Sequence, residues 1–408
     1  MNNFMQTPVV GIIAEYNPFH IGHKYHLSET KKKLETENII VVLSSNFVQR
    51  GEASLLNKWE RTKVALDCGA SLVLELPCVF SSHNAGTFSS GAVDILNSTG
   101  IVTHLSFGLE DPEWDTQHIL YILNEEPKPF KSYLKYFLEK GYSFVESRSL
   151  ALDKLIPGTY DIIKKSNNLL GLSYLQRIYN KKYDIVPFNV KRIGSMYNDS
   201  ELSNIPSATA IRKAINENNT ECALSYLPEE SAFVTRNAIN SGHTVSNHKK
   251  LWELLRYILI RTDTNKIAEI AEISEGLEYK LKKEALSSSS FSEWIDACTS
   301  KRYPSSRIKR SAIHILLNLP HWWNRAFQRI GVPYIRVLGM DKNGKRLLRE
   351  MKKNATLPII SRYGEASHIS EYARALMQYE LNSCEIWEQL TDNGNIGREH
   401  TQKIIIHE

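Results

Sequence analysis

Val9-Val10-Gly11-Ile12-Ile13-Ala14 runs straight into Glu15-Tyr16-Asn17-Pro18-Phe19-His20-Ile21-Gly22-His23. The first six residues are a continuous apolar run, the pattern of a strand buried on both faces of a parallel sheet. A turn carrying Asn17-Pro18 follows, and two histidines three apart open a predicted helix over about 22–36. In an open parallel sheet, ligands sit beyond the carboxyl ends of strands, close to helix N-termini with free N–H groups. Gly22 removes a side chain where a ligand or a backbone comes close. Two imidazole donors at a positive helix end suit the charge that develops on a pentavalent α-phosphate. Two other readings of the pair stay open: metal ligands, continued by His26, and simple capping and packing.

Outward from this stretch the same rhythm continues. Ile39–Ser44, Leu72–Leu76, Thr103–Phe107 and Ile185–Val190 read as further strands, alternating with helices near 58–68, 85–98 and 160–179. Alternation of this kind predicts an α/β fold: a Rossmann-like, doubly wound parallel sheet, with a mainly helical C-terminal domain beyond it. Residues 112–158 read as a helical insertion. The predicted division is an α/β catalytic domain over 1–222 and a basic helical domain over 223–408. In the latter, Leu251–Thr262, Lys266–Lys283, Ser292–Thr299 and Ser306–Leu317 are expected helices, and Val332–Leu338 an expected strand. A length of 408 residues suits two such units.

A second element agrees with the first. Ile205-Pro206-Ser207-Ala208-Thr209-Ala210-Ile211-Arg212 places two hydroxyls and an arginine at a predicted helix start. Ser207 or Thr209 can cap that helix, and Arg212 with the exposed N–H groups would hold β- and γ-phosphates. A plain cap with Arg212 on the surface is the bland alternative. The Gly-rich Lys-Ser/Thr phosphate loop and the paired-glycine dinucleotide fingerprint are both missing from the chain's first turn.

The net charge of +5 hides an asymmetry. Between Lys301 and Lys353 there are 14 Lys and Arg against Asp341 and Glu350, a segment of +12 in a chain whose remainder carries −7. That separation points to a polyanionic partner. Five scattered cysteines argue against a disulfide framework or a cysteine-based zinc site. The opening residues lack a signal-peptide pattern and no long apolar window occurs, so a cytoplasmic protein without membrane contact is expected.

The chain resembles the bacterial tRNA(Met) cytidine acetate ligases, within the HIGH-motif nucleotidyltransferases. The resemblance rests on Gly11–Leu27, Ser45–Glu52, Leu74–Pro77, Phe107-Gly108, Ser166–Gly171, Lys191–Gly194 and Pro333–Gly339. It implies that ATP activates acetate to acetyladenylate with release of pyrophosphate. The acetyl group then passes to N4 of the wobble cytidine of elongator tRNA(Met). It also implies an ATP site formed by Val10 to His23 with Gly108, Asn167, Arg192 and Ile193. On this basis His20 and His23 would stabilise the transition state, while Arg212 and Arg192 neutralise departing pyrophosphate. Asn17 and Gln49 are candidate substrate contacts, and Ser207 and Thr209 phosphate contacts. Lys58, Arg61, Arg302, Arg307, Lys309, Arg310 and Arg325 are candidates for tRNA, with Tyr303, Trp322 and Trp323 beside them. At least one of the two tryptophans is expected in the core, because adjacent helical residues cannot face the same way. Leu109, Ser166 and Ala208 depart from the family's usual residues. No metal site is expected, and the sequence does not fix a requirement for Mg²⁺. A small-molecule adenylyltransferase and a non-catalytic RNA-binding protein are the competing readings.

Overall fold

The opening apolar run becomes β1 (Val10–Ala14), an interior strand hydrogen-bonded to β2 (Ile39–Ser44) on one side. The computed structural model describes residues 7–111, 113–192 and 206–408. Every residue of β2 is buried, which explains why Ile39–Leu43 carries no polar alternation. A two-stranded hairpin, β3 (Phe47–Val48) and β4 (Glu52–Ala53), follows, and then β5 (Leu72–Leu76), β6 (His104–Leu109) and β7 (Val186–Lys191). The second half supplies β8 (Ile335–Met340), β9 (Ile359–Ile360) and β10 (Ile405–Ile406).

Among the described residues the main sheet runs β10-β8-β5-β2-β1-β6-β7, with β9 against β8. All neighbours are parallel except β5 and β8, which are antiparallel. The C-terminal half is mainly helical as expected, yet it returns to complete the sheet, so strands from both sides of the 222/223 boundary share one sheet. The expected strand Val332–Leu338 begins later, at Ile335, because Pro333 has no N–H to give a ladder.

Helices cover both faces. Ala85–Ser98 packs on one side of β1, and Gly11 permits it: a Cβ there would stand 2.7 Å from Leu96. On the other side, Val10 and Ile12 share a core with Trp59 of the helix Lys58–Asp67. The region 112–158 holds three helices, Thr116–Glu125, Lys128–Glu139 and Phe144–Asp153, whose Ile119, Leu123, Phe130 and Leu152 join the main core. The expected helix Lys266–Lys283 is broken into Thr264–Ala268 and Leu277–Ser287, since Glu272, Glu275 and Gly276 all take positive φ. A further core gathers Leu255, Trp294 and Ile313 of the C-terminal helices around Phe47 and Ala53, tying the hairpin to that half.

Candidate active site at the carboxyl end of β1

Past Ala14 the chain turns through a cis Asn17–Pro18 bond and enters the helix Ile21–Leu34 with His20 as its N-cap. His20 Nδ1 accepts the Gly22 N–H at 3.0 Å, and His23 Nδ1 accepts the His20 N–H at 3.2 Å. This is a reciprocal cap in which imidazoles do the work usually done by Ser and Glu. It has a chemical consequence. A ring nitrogen that accepts cannot carry the proton, so each neutral imidazole is assigned the Nε2–H tautomer. The rings stack with centroids 3.9 Å apart.

Burial, then the neighbouring Arg192 guanidinium, lowers His20 to about 4. Burial, His20 and Arg192 hold His23 well below the ordinary histidine value. At neutral pH both are therefore uncharged N–H donors. His26 is directed elsewhere, its Nε2 lying 2.9 Å from Ser106 Oγ. Among the described residues no group of three or more His, Cys, Asp or Glu is placed to hold a metal.

Three guanidinium groups lie around this strand–turn–helix, Arg192 beside the histidines themselves. Arg192 lies along the end of β6, seated on Gly108, where a Cβ would stand 2.9 Å from Arg192 Cγ. Arg212 donates to the Asn17 carbonyl at 2.7 Å and to Glu52 at 2.6 Å. Arg50, which sequence reasoning left without a role, is exposed and reaches Thr209 Oγ1 at 3.3 Å. The only signal for Arg50 was its place in the Ser45–Glu52 segment. Ser207 is the cap of the helix Ala208–Asn216, accepting from the Ala210 N–H, so the bland and functional readings of this helix start both keep a part.

Other expected residues are structural in this arrangement. Val10, Gly11 and Ile12 pair with both β2 and β6 inside the sheet. Ala14, Tyr16 and Phe19 are buried apolar residues, and Ile13 packs against the main core. Asn17 is buried and accepts the Leu55 N–H at 2.7 Å, which fixes the turn. Gln49 offers its N–H to Glu15 at 2.8 Å. Asn167 donates to Glu110, and Glu110 also takes the Asn168 N–H at the start of the helix Ser166–Lys181. Asn168, which the sequence offered only as part of the Ser166–Gly171 segment, is fully buried and joins the end of β6 to that helix through the Glu110 N–H and the Ile162 carbonyl. Ile193 and Ile205 lie outside the described residues.

Lys58 and Arg61 overturn their expected role. Lys58 is buried against Glu75, Glu380 and Glu399, and Arg61 donates to the carbonyls of Glu15, Ser44, Ser45 and Leu56. Neither presents its charge to a phosphate, because the short helix carrying them faces the sheet. In the basic segment, Lys309 pairs with Glu52 at 2.7 Å and the buried Arg310 with Glu272 at 2.9 Å. Arg307 donates to the Glu272 carbonyl, Arg302 pairs with Glu275 on the surface, and Arg325 is exposed. Trp323 stacks on Phe327 against the core while Trp322 is 64% exposed, as adjacent helical positions require. No helix among the described residues is long and apolar enough to cross a membrane.

Known proteins are similar to this chain in sequence and in fold. A family model described as HIGH nucleotidyl transferase matches residues 7–403. The chain is 35% identical to the tRNA(Met) cytidine acetate ligase of Clostridium perfringens strain ATCC 13124, over 98% of this chain and 99% of the relative. It is 38% identical to that of Thermoanaerobacter sp. strain X514, over 91% and 92%. Among solved structures, apo Thermotoga maritima TmcAL superposes with a TM-score of 0.91 at 29% identity, covering 98% of this chain and 99% of the other. The same protein bound with alpha-thio ATP gives 0.89. The chain belongs to the tRNA(Met) cytidine acetate ligase family of HIGH nucleotidyl transferases.

Proposed function

We propose that this protein is an ATP-dependent acetate ligase that forms acetyladenylate, releases pyrophosphate and acetylates N4 of the wobble cytidine of elongator tRNA(Met). The carrying observation is the pair of stacked, uncharged imidazoles whose Nδ1 atoms are held by backbone N–H groups at the end of β1. Each Nε2–H is a fixed donor that needs no proton change near neutrality. Fixed donors suit the attack of an acetate oxygen on the α-phosphorus, where negative charge builds and no proton moves. Arg192, Arg212 and Arg50 lie around the same turn and fit a triphosphate, with Thr209 between the last two. The relatives named as tRNA(Met) cytidine acetate ligases and the neighbour carrying alpha-thio ATP support this reading.

The division of labour follows from charge. The α/β half holds the adenylation cleft, while Trp322, Arg325 and Arg302 of the helical half lie on the surface for tRNA. Lys309 serves as a strut rather than a phosphate contact, through Glu52 to Arg212. A tRNA substrate fits a cytoplasmic enzyme.

Purified protein incubated with ATP, labelled acetate and unmodified tRNA should place label in N4-acetylcytidine, dependent on ATP. Folded enzyme that labels no nucleoside, but transfers AMP to a phosphorylated small molecule, would replace this reading with the small-molecule adenylyltransferase.

A further inference from the structure

Three carboxylates lie around the carboxyl end of β1, and two of them have both oxygens engaged. Glu52 is held between Arg212 and Lys309; burial would raise it, but these cations outweigh burial and bring it to about 2. Glu110 takes the Asn168 N–H and the Asn167 amide. Glu15 differs. It directly follows β1, and its Oε1 accepts the Gln49 N–H at 2.8 Å, while no described residue hydrogen-bonds to Oε2. Its own carbonyl is fixed by Arg61 at 2.8 Å, and Arg61 also binds the carbonyls of Ser44 and Ser45. The residue is thus anchored at its backbone carbonyl and at one carboxyl oxygen, and forms no ion pair with a described residue, among guanidinium groups that suit a polyanion. An unpaired carboxylate there opposes the binding of both ATP and acetate. Such a cost is explicable if the group serves a step that follows them.

The second half-reaction supplies that step. Adenylation moves no proton, whereas acylation of an exocyclic amine releases one. We propose that Glu15 is the catalytic base of acetyl transfer, taking the proton of the cytidine amine on Oε2; this rests on the acetate-ligase reading. The N4 lone pair attacks the acetyl carbonyl carbon and the C–N bond forms. The bond between that carbon and the phosphate oxygen breaks, and AMP leaves with the electron pair. The N4 proton passes to Glu15 and then to water. The groups around Glu15 set its proton affinity. Burial raises it, while Arg50 of the hairpin, the Gln49 N–H and Arg212 lower it, and Glu52 raises it; the net shift is upward. Tyr174 of the helix Ser166–Lys181 also senses its charge, and Arg61 touches only its backbone. A carboxylate with proton affinity above the ordinary is the better acceptor for a proton released by an amine.

The test separates the two half-reactions. Acetate-dependent exchange of pyrophosphate into ATP reads adenylation, and acetylation of tRNA with preformed acetyladenylate reads transfer. Glu15→Gln keeps the Gln49 contact, so transfer should fall about a hundredfold or more, and by a far larger factor than exchange. Wild-type transfer should rise with pH through an inflection above the ordinary carboxylate range. Glu15→Asp should keep that inflection at a lower rate, and Glu15→Gln should lose it. Exchange and transfer falling together in Glu15→Gln, or neither falling, would overturn the assignment. A wild-type chain that neither exchanges nor acetylates would sink the acetate-ligase reading itself, and this proposal with it.

Discussion

The histidine pair at the end of β1 and the cluster around Lys58 are both built from ionisable side chains withdrawn from water. They resolve that withdrawal in opposite ways. At the first, burial strips the charge: His20 and His23 are neutral, and each keeps one N–H free of any described partner. At the second, charge is kept and neutralised internally. Lys58 meets Glu75, Glu380 at 3.1 Å and Glu399 at 2.8 Å, while Arg336 meets Glu75 at 3.0 Å and Glu399 at 2.7 Å. Burial pushes Glu75 upward; it also acts on Glu380, but there Lys58, Ser45 and the Cys78 N–H outweigh it and the carboxyl is lowered. A proton on Glu75 would balance two cations against two carboxylates. The teaching is that a buried ionisable cluster acts chemically when it leaves a donor unused, and only holds structure when every partner is internal.

The sharpest way to break this comparison is to remove one charge from the closed cluster. Lys58→Ala leaves three carboxylates around one guanidinium and should cost about 3–5 kcal/mol in urea unfolding. A variant of wild-type stability would show that the cluster is not a closed network. His20→Ala removes a donor from the open one. Adenylation, read as pyrophosphate exchange, should drop by about 10²–10³-fold. His20→Asn should recover the helix cap without recovering the rate; full recovery would mean that capping is the whole role of His20.

Acid should act on the neutral histidines before it acts on the paired carboxylates. His20, His26 and His83 are each lowered by burial to about 4. The unfolded chain therefore binds more protons than the folded one between 4 and the ordinary value of 6.5, and stability falls as pH drops through that window. Unfolding near pH 5 should show a loss on the order of 1–2 kcal/mol per histidine relative to neutral pH. His243, raised by its bond to Glu388, offsets part of this, since its contribution is present at low pH and lost as pH rises. Stability that is flat from neutral to pH 5 would contradict neutral, buried imidazoles.

The smallest effects belong to the surface, away from both clusters. Trp322→Ala should weaken tRNA binding by about 1–3 kcal/mol in a filter or anisotropy assay, with pyrophosphate exchange unchanged. Arg325→Ala should weaken it less and lower the salt slope by about one unit. Unaltered affinity in both would move the RNA surface elsewhere.

Much of this was legible in the sequence because it is local. The apolar runs of β1, β2 and β5 announce buried parallel strands without reference to any other part of the chain. His20 and His23 face each other because the helix repeat brings them there, and for the same reason Trp323 packs on Phe327 while Trp322 stays exposed. Lys58 and Arg61 look like surface cations in the sequence, since nothing near them is acidic enough to bury them. Their fate depends on Glu380 and Glu399 and on carbonyls at three strand ends or turns.

By itself, then, the sequence determined the strand–turn–helix at the N-terminus, the open parallel sheet and the residue types at its mouth, all properties with periods of a few residues. Only the tertiary structure decided that burial leaves both imidazoles uncharged, which basic residues are buried and which carboxylate near the histidines keeps an oxygen free of any described hydrogen bond. Those outcomes depend on contacts such as Lys309 with Glu52 and Arg212 with Asn17, separated by hundreds of residues along the chain. Electrostatic energies depend on distance and burial in three dimensions, and neither quantity is written in sequence order.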